Sequence, residues 1–284
     1  MSTSEALITT PTLIPAIIAS AVFAVELLGV GFRYLSTNRF EPYVHLVNLA
    51  VIRTVGEIMK IVWTQTSNPS KDFIIATEII TKIGSVFVLL CVFRLLSYWI
   101  HSKVYYGQFP PPLLRSAIAL GILIAVAGQA VGIFGTIEMM NDDNYSLGVT
   151  VRAISKGLLL AASVIYLGLT LINIPRARDP KNSFVLLLLG VIATVRATYD
   201  VVAIAVPSTS VVATSEIVQY LFDTLPEALA VAVAIVYNLS NVAYQYDTYL
   251  QQDNAMNDMY VENNSRPSYN RYEQRDSGKF YGYQ

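Results

Sequence analysis

The sequence predicts an all-α polytopic membrane protein, a seven-transmembrane-helix bundle followed by a polar tail. Three observations predict it. The chain is 54% hydrophobic and 14% charged, whereas soluble domains carry about 25% charged residues. Seven segments are apolar over roughly the 20 residues a helix needs to cross a 30 Å hydrocarbon core. The runs are long and do not alternate in polarity, which favours helices over barrel strands.

The elements follow in order. Residues 1–12 form a short N-terminus without Lys or Arg, unlike the basic start of a signal peptide. The transmembrane domain covers 13–239, with spans at about 13–33, 44–64, 73–100, 113–134, 150–174, 183–206 and 213–239. The breaks STNRFEP, TSNPSKD, FPPP, NDDN, PRARDPKNS and PSTS combine turn residues with charge or proline. Residues 240–284 are polar, rich in Tyr, Asn and Gln, and lack apolar periodicity. That composition predicts a disordered tail. Its tyrosines and serines are handles for phosphorylation or for a cytoplasmic partner.

Basic residues set the direction. Arg33 and Arg39 flank the first loop, Lys103 lies in the third, Arg176, Arg178 and Lys181 lie in the fifth, and Arg266, Arg271, Arg275 and Lys279 lie in the tail. The alternate loops are poor in Lys and Arg. The positive-inside bias therefore predicts an outside N-terminus and a cytoplasmic C-terminus, in the plasma membrane or another secretory-pathway membrane. Asn144-Tyr145-Ser146 then becomes an external glycosylation sequon, and Asn263-Asn264-Ser265 a cytosolic one.

The spans carry ionisable residues, which are costly in lipid and turn into the bundle. Arg53 and Glu57, Glu78 and Lys82, Arg196 and Asp200, and Asp223 and Glu227 are each four residues apart, so each pair shares a helix face. Counted at 1.5 Å per residue from the inner ends, Arg53, Asp223, Lys82, Glu57 and Arg196 fall at roughly 13–20 Å. Lys156, Glu78, Lys60, Asp200 and Glu216 fall at roughly 21–26 Å. The two layers balance in charge and predict an ion-pair network in the outer half of the bundle. Arg196 and Asp223 are expected to pair. Glu26 and Glu227 lie deeper, with no cation at their level. Pro226 is expected to kink the seventh span. Two readings stay open: the network pins helix packing, or it lines a polar cavity that binds a ligand headgroup.

Other chemistries fit poorly. The net charge of −1 excludes a broadly basic nucleic-acid binder. One cysteine, Cys91, excludes an intrachain disulfide and is expected to pack. Two histidines, His45 and His101, are too few for a His-rich zinc site, and no metal or cofactor is expected. The seventh span has no Schiff-base lysine. Tyr199-Asp200 and Phe222-Asp223 resemble the two-aspartate pattern of intramembrane proteases. Tyr220-Leu221-Phe222 stands where their Gly-x-Gly belongs, and the two aspartates are expected about 10 Å apart in depth. Receptor signatures are missing after the third span and at the end of the seventh.

The segments NLAVIRTVGEIMKI, EIITKIGSVFVLLCVFRLL, ALGILIAVAGQAVGIFG and VIATVRATYDVVA, with the acidic seventh span, resemble an uncharacterised family of fungal seven-helix membrane proteins over residues 10–240. The order Arg196, Glu216, Tyr220, Phe222, Asp223 is also similar, more faintly, to the fungal lipid-translocating exporter family. The exporter His-Pro after the seventh span is absent from AIVYNLSNVAYQ. The second resemblance implies membrane lipids as partners. The resulting expectation is a non-enzymatic protein that binds, senses or translocates a lipid or sterol-like amphiphile; the alternative is a receptor or scaffold acting through its tail.

Overall fold

The computed structural model describes residues 11–38, 40–105, 108–177, 179–206, 210 and 215–242, all within one compact unit, Met1–Tyr244. The expected N-terminal segment up to residue 10, and the tail from 243 on with Asn263, lie outside the described residues.

Helices dominate, and no strand occurs among the described residues. In chain order they are α1 (Leu13–Ser36), α2 (Glu41–Gln65), α3 (Lys71–Lys82), α4 (Gly84–Trp99), α5 (Pro112–Met139), α6 (Tyr145–Asn173), α7 (Pro180–Ala205), α8 (Glu216–Gln219) and α9 (Leu225–Val236). α3, α4 and a π turn at Ile100–Val104 run as one segment, interrupted only at Ile83. A π turn at Tyr220–Thr224 joins α8 to α9. Among the described residues, six helical segments are long and apolar enough to cross a membrane: Leu13–Ser36, Lys71–Val104, Pro112–Met139, Tyr145–Arg176, Pro180–Ala205 and Glu216–Val236. α2 has the length, with 25 residues, but Arg53, Glu57 and Lys60 dilute its apolar run.

Starts and stops have local causes. Pro42, Pro112 and Pro180 sit in the first turns of α2, α5 and α7, where a missing N–H costs nothing. The Ser70 and Ser215 side chains cap α3 and α8, and Asp179 caps α7. Most helices outrun their apolar segments, because the polar ends of a spanning helix remain helical beyond the hydrocarbon.

Burial is inverted relative to a soluble protein. Ile14, Ile18, Val25, Leu28, Phe32 and Leu35 form an exposed stripe on α1, whereas Arg53, Glu57 and Glu227 are 0% exposed. An apolar exterior around a charged interior is what lipid selects. α4 lies at the centre. Its Val88, Leu89, Val92, Phe93, Leu95, Leu96 and Trp99 are buried, and Phe93 meets Tyr166 edge-on at 5.6 Å. α5 and α6 approach closely. A Cβ on Gly148 would lie 2.1 Å from the Met139 backbone N, and one on Gly135 2.8 Å from that of Arg152. Only glycine permits this contact.

Two sets of contacts define the ends of the bundle. Thr12 bonds Glu216 through its N–H (2.8 Å) and hydroxyl (2.5 Å), and Arg152 lies 3.9 Å from Glu78. The starts of α1, α3, α6 and α8 therefore share one end. At the other end, Arg33 donates to the Ile235 carbonyl at 2.8 Å and Tyr98 to Glu41 at 2.8 Å. The Leu239–Val242 turn packs there too: Leu239 N–H donates to the Tyr43 hydroxyl at 2.9 Å, and the Ser102 hydroxyl to the Val242 carbonyl at 2.9 Å. Packed chain thus runs beyond the boundary expected at residue 239, because Leu239 and Val242 bury two apolar side chains in an otherwise polar stretch.

Candidate functional site: a buried ion-pair network and its cavity

The network is built on α2, α3, α6, α7, the π turn and the start of α9. Arg53 Nε donates to Glu227 Oε2 in a short contact, and its Nη2 lies 3.6 Å from Asp223 Oδ1. Arg196 Nη2 donates to Asp223 Oδ1 at 2.5 Å and Nη1 to Asp200 Oδ2 at 3.3 Å. Arg196 Nε lies 2.7 Å from Glu227 Oε1, close in charge but not aligned as a hydrogen bond. Lys82 Nζ donates to Asp223 Oδ2 at 2.6 Å, and Lys156 Nζ to Asp200 Oδ2 at 2.8 Å. A second arm runs from Arg53 to Glu57, 3.9 Å away. Glu57 accepts from Lys60 at 2.9 Å and from the Tyr220 hydroxyl at 2.7 Å.

Local structure aims these groups. Leu225 N–H bonds the Tyr220 carbonyl, closing the π turn one residue before Pro226, which has no N–H to give. The π turn admits one extra residue, and Asp223, within it, faces Arg53, Lys82 and Arg196 together. Pro226, expected to kink the seventh span, falls in the first turn of α9, just after the π turn. Gly84, where α4 begins, leaves room for the central pair: a Cβ there would lie 2.6 Å from Glu227 Oε2 and 3.1 Å from Arg53 Nε.

Nine of the ten expected residues make ion pairs, though not always with the partners the spacing implied. Glu78 faces Arg152, and Lys82 turns to Asp223. Glu216 lies outside the ion-paired set, because Thr12 takes both its carboxylate oxygens. Two expectations are corrected. Glu227 contacts two arginines, whereas depth counting left it without a cation. Asp200 and Asp223 both contact one guanidinium, so they are not separated by 10 Å of depth. Counting rise along straight helices omits the π turn and the reach of an arginine. Tyr220 and Arg152 join the site without having been singled out for it; of the sequence signals, the exporter-like order is the one that groups Tyr220 with Arg196 and Asp223. Glu26 is buried, and its Oε2 has no hydrogen-bond partner among the described residues. The Asn144 amide donates to Glu138 at 2.7 Å.

Two polar-lined cavities among the described residues adjoin the network. One of about 20 Å³ touches Lys60, Glu216 and Tyr220, room for about one water. The other, of about 250 Å³, lies where α5 and α7 end and α6 begins, lined by Lys82, Arg152, Lys156, Tyr199, Asp200 and Gln219 and walled by Val149, Ala203, Ile204 and Val206. Tyr199 is stacked on Phe222 at 5.6 Å.

Comparison with known protein families, characterised proteins and solved structures finds no match to this chain.

Proposed function

We propose that this is a non-enzymatic seven-span membrane protein that binds, senses or translocates a lipid or sterol-like amphiphile. The observation that carries the reading is the cavity of about 250 Å³ joining charged Lys82, Arg152, Lys156 and Asp200 to an aliphatic wall. An amphiphile needs both surfaces, and a polar cavity within a bundle is where membrane proteins place functional charge. α2 is taken as the seventh span, its charges satisfied inside the bundle. The basic-loop bias supports a cytoplasmic C-terminus and puts the cavity in the outer half of a plasma or secretory-pathway membrane. The Arg196, Tyr220 and Asp223 of the exporter-like pattern all belong to the network, which agrees with membrane lipids as partners. The reading needs no cofactor. Asp200 and Asp223 hold opposite arms of the Arg196 fork, an arrangement that favours two paired carboxylates over a proton-sharing dyad.

Lipid analysis of the full-length protein after mild detergent extraction tests this reading. A specific amphiphile enriched over bulk membrane, and lost on substitution of cavity residues, is the expected result. Bulk lipid alone, unchanged by those substitutions, overturns it. The alternative, a receptor or scaffold acting through its tyrosine-rich tail, is favoured by the tail's composition. Removal of residues 243–284, which spares the packed Leu239–Val242 turn, leaves ligand handling intact on the first reading and abolishes output on the second.

A further inference from the structure

We infer that the cavity at the α5–α6–α7 end is a site for an anionic headgroup, a phosphate or carboxylate, presented by an amphiphile from the surrounding lipid. The inference rests on the amphiphile reading above and names the chemistry that reading leaves open.

Unspent donors carry it. Lys82 and Lys156 line the cavity, and each ammonium gives one hydrogen bond, to Asp223 and Asp200 respectively. An ammonium has three donors, so each keeps two without a partner among the described residues. The third cation, Arg152, gives one hydrogen bond among the described residues, to the Met139 sulfur at 3.6 Å, and stands 3.9 Å from Glu78. Most of its five-donor fork is unused. Gln219 and Tyr199 complete the polar lining. Against three cations the described wall sets one carboxylate, Asp200.

The charge balance behind the cavity points the same way. The connected network joins five cations to four carboxylates, leaving one formal positive charge among the described residues. Arg152 and Glu78 cancel each other. That surplus is shared across the network, and a bound anion balances it where Lys82 and Lys156 reach the cavity. The same field disfavours a cationic headgroup. Size limits the occupant: about 250 Å³ falls below the roughly 300–1,000 Å³ of pockets that enclose whole drug-sized ligands. The site therefore holds a headgroup while the apolar chain lies along Val149, Ala203, Ile204 and Val206.

Binding of dihexanoyl phosphatidic acid, inorganic phosphate, dihexanoylglycerol and sphingosine to the purified full-length protein in neutral detergent tests the site, read as ligand-induced thermal stabilisation. The informative variants are Arg152→Gln at the cavity rim and Arg152→Lys, which keeps the charge; Lys156→Gln follows if it retains the wild-type elution profile. Phosphatidic acid is expected to stabilise the protein, the neutral and cationic lipids not. Arg152→Gln should weaken binding about tenfold, the loss of one charge-assisted hydrogen bond, with partial recovery in Arg152→Lys. Stabilisation by inorganic phosphate with none by phosphatidic acid upholds the anion site and overturns the amphiphile reading. Stabilisation by sphingosine or dihexanoylglycerol, but by neither anion, overturns the anion site and leaves the amphiphile reading standing. Anion binding that is equal in wild type and Arg152→Gln also overturns the site.

Discussion

Arg196 touches three carboxylates, on Asp200, Asp223 and Glu227, while being 3% exposed. Removing one member of such a set strands the others in a medium that cannot solvate them. Arg196→Leu and Asp223→Leu should each cost about 3–5 kcal/mol. The double variant should cost less than the sum, with a coupling of about 0.5–3 kcal/mol. It should not return to wild-type stability, because Lys82 loses Asp223 and Glu227 loses one of its two arginines. Thermal melting of the three full-length variants in detergent measures this, and strict additivity would show that the two residues are uncoupled. Cys91 is the contrasting residue. It is 2% exposed within the apolar core, so Cys91→Ala should cost about 1 kcal/mol and leave ligand binding unchanged. Loss of binding in a normally melting Cys91→Ala protein would assign the thiol a functional role instead.

At the scale of elements, the α5–α6 pair depends on bare backbone. A methyl group on Gly148 meets the Met139 backbone, whereas one on Gly157 of the same helix meets nothing within 4 Å. Gly148→Ala should therefore destabilise by about 1–3 kcal/mol through overpacking. Gly157→Ala should be neutral or stabilise by up to about 1 kcal/mol, from helix propensity alone. The two melting temperatures, compared side by side, check the close approach; equal shifts would contradict it. The pair also sets one wall of the cavity, through Met139 and Arg152, so Gly148→Ala should weaken anion binding as well.

For the whole molecule, glycosylation reads out the direction of the chain. Asn144 stands at the start of α6, at the end that holds the cavity. If basic loops mark the cytoplasm, Asn144 carries a glycan in a eukaryotic host and Asn263 carries none. Endoglycosidase shifts of Asn144→Gln and Asn263→Gln proteins read this out. Glycan on Asn263, or cleavage of the tail by protease added outside intact cells, would reverse the orientation and turn the cavity to the cytoplasm.

The sequence by itself determined the solvent and the rough path of the chain. Apolar runs of about 20 residues and their proline- and charge-rich breaks place the helices within a few residues, because lipid permits so few alternatives. It also determined which residues are costly, since Arg53, Glu57, Arg196 and Asp223 cannot face lipid. Only the tertiary structure decided the partners. Glu227 stood apart in depth and became the junction of two arginines. Glu216 matched a cation layer and was taken by Thr12. Lys82 left its neighbour Glu78 for Asp223. Periodicity fixes the face of a helix, but the rotation of one helix against the next depends on the π turn before Pro226 and on Gly84 admitting the Arg53–Glu227 pair. Those are contacts between residues up to 204 positions apart, and no local pattern encodes them.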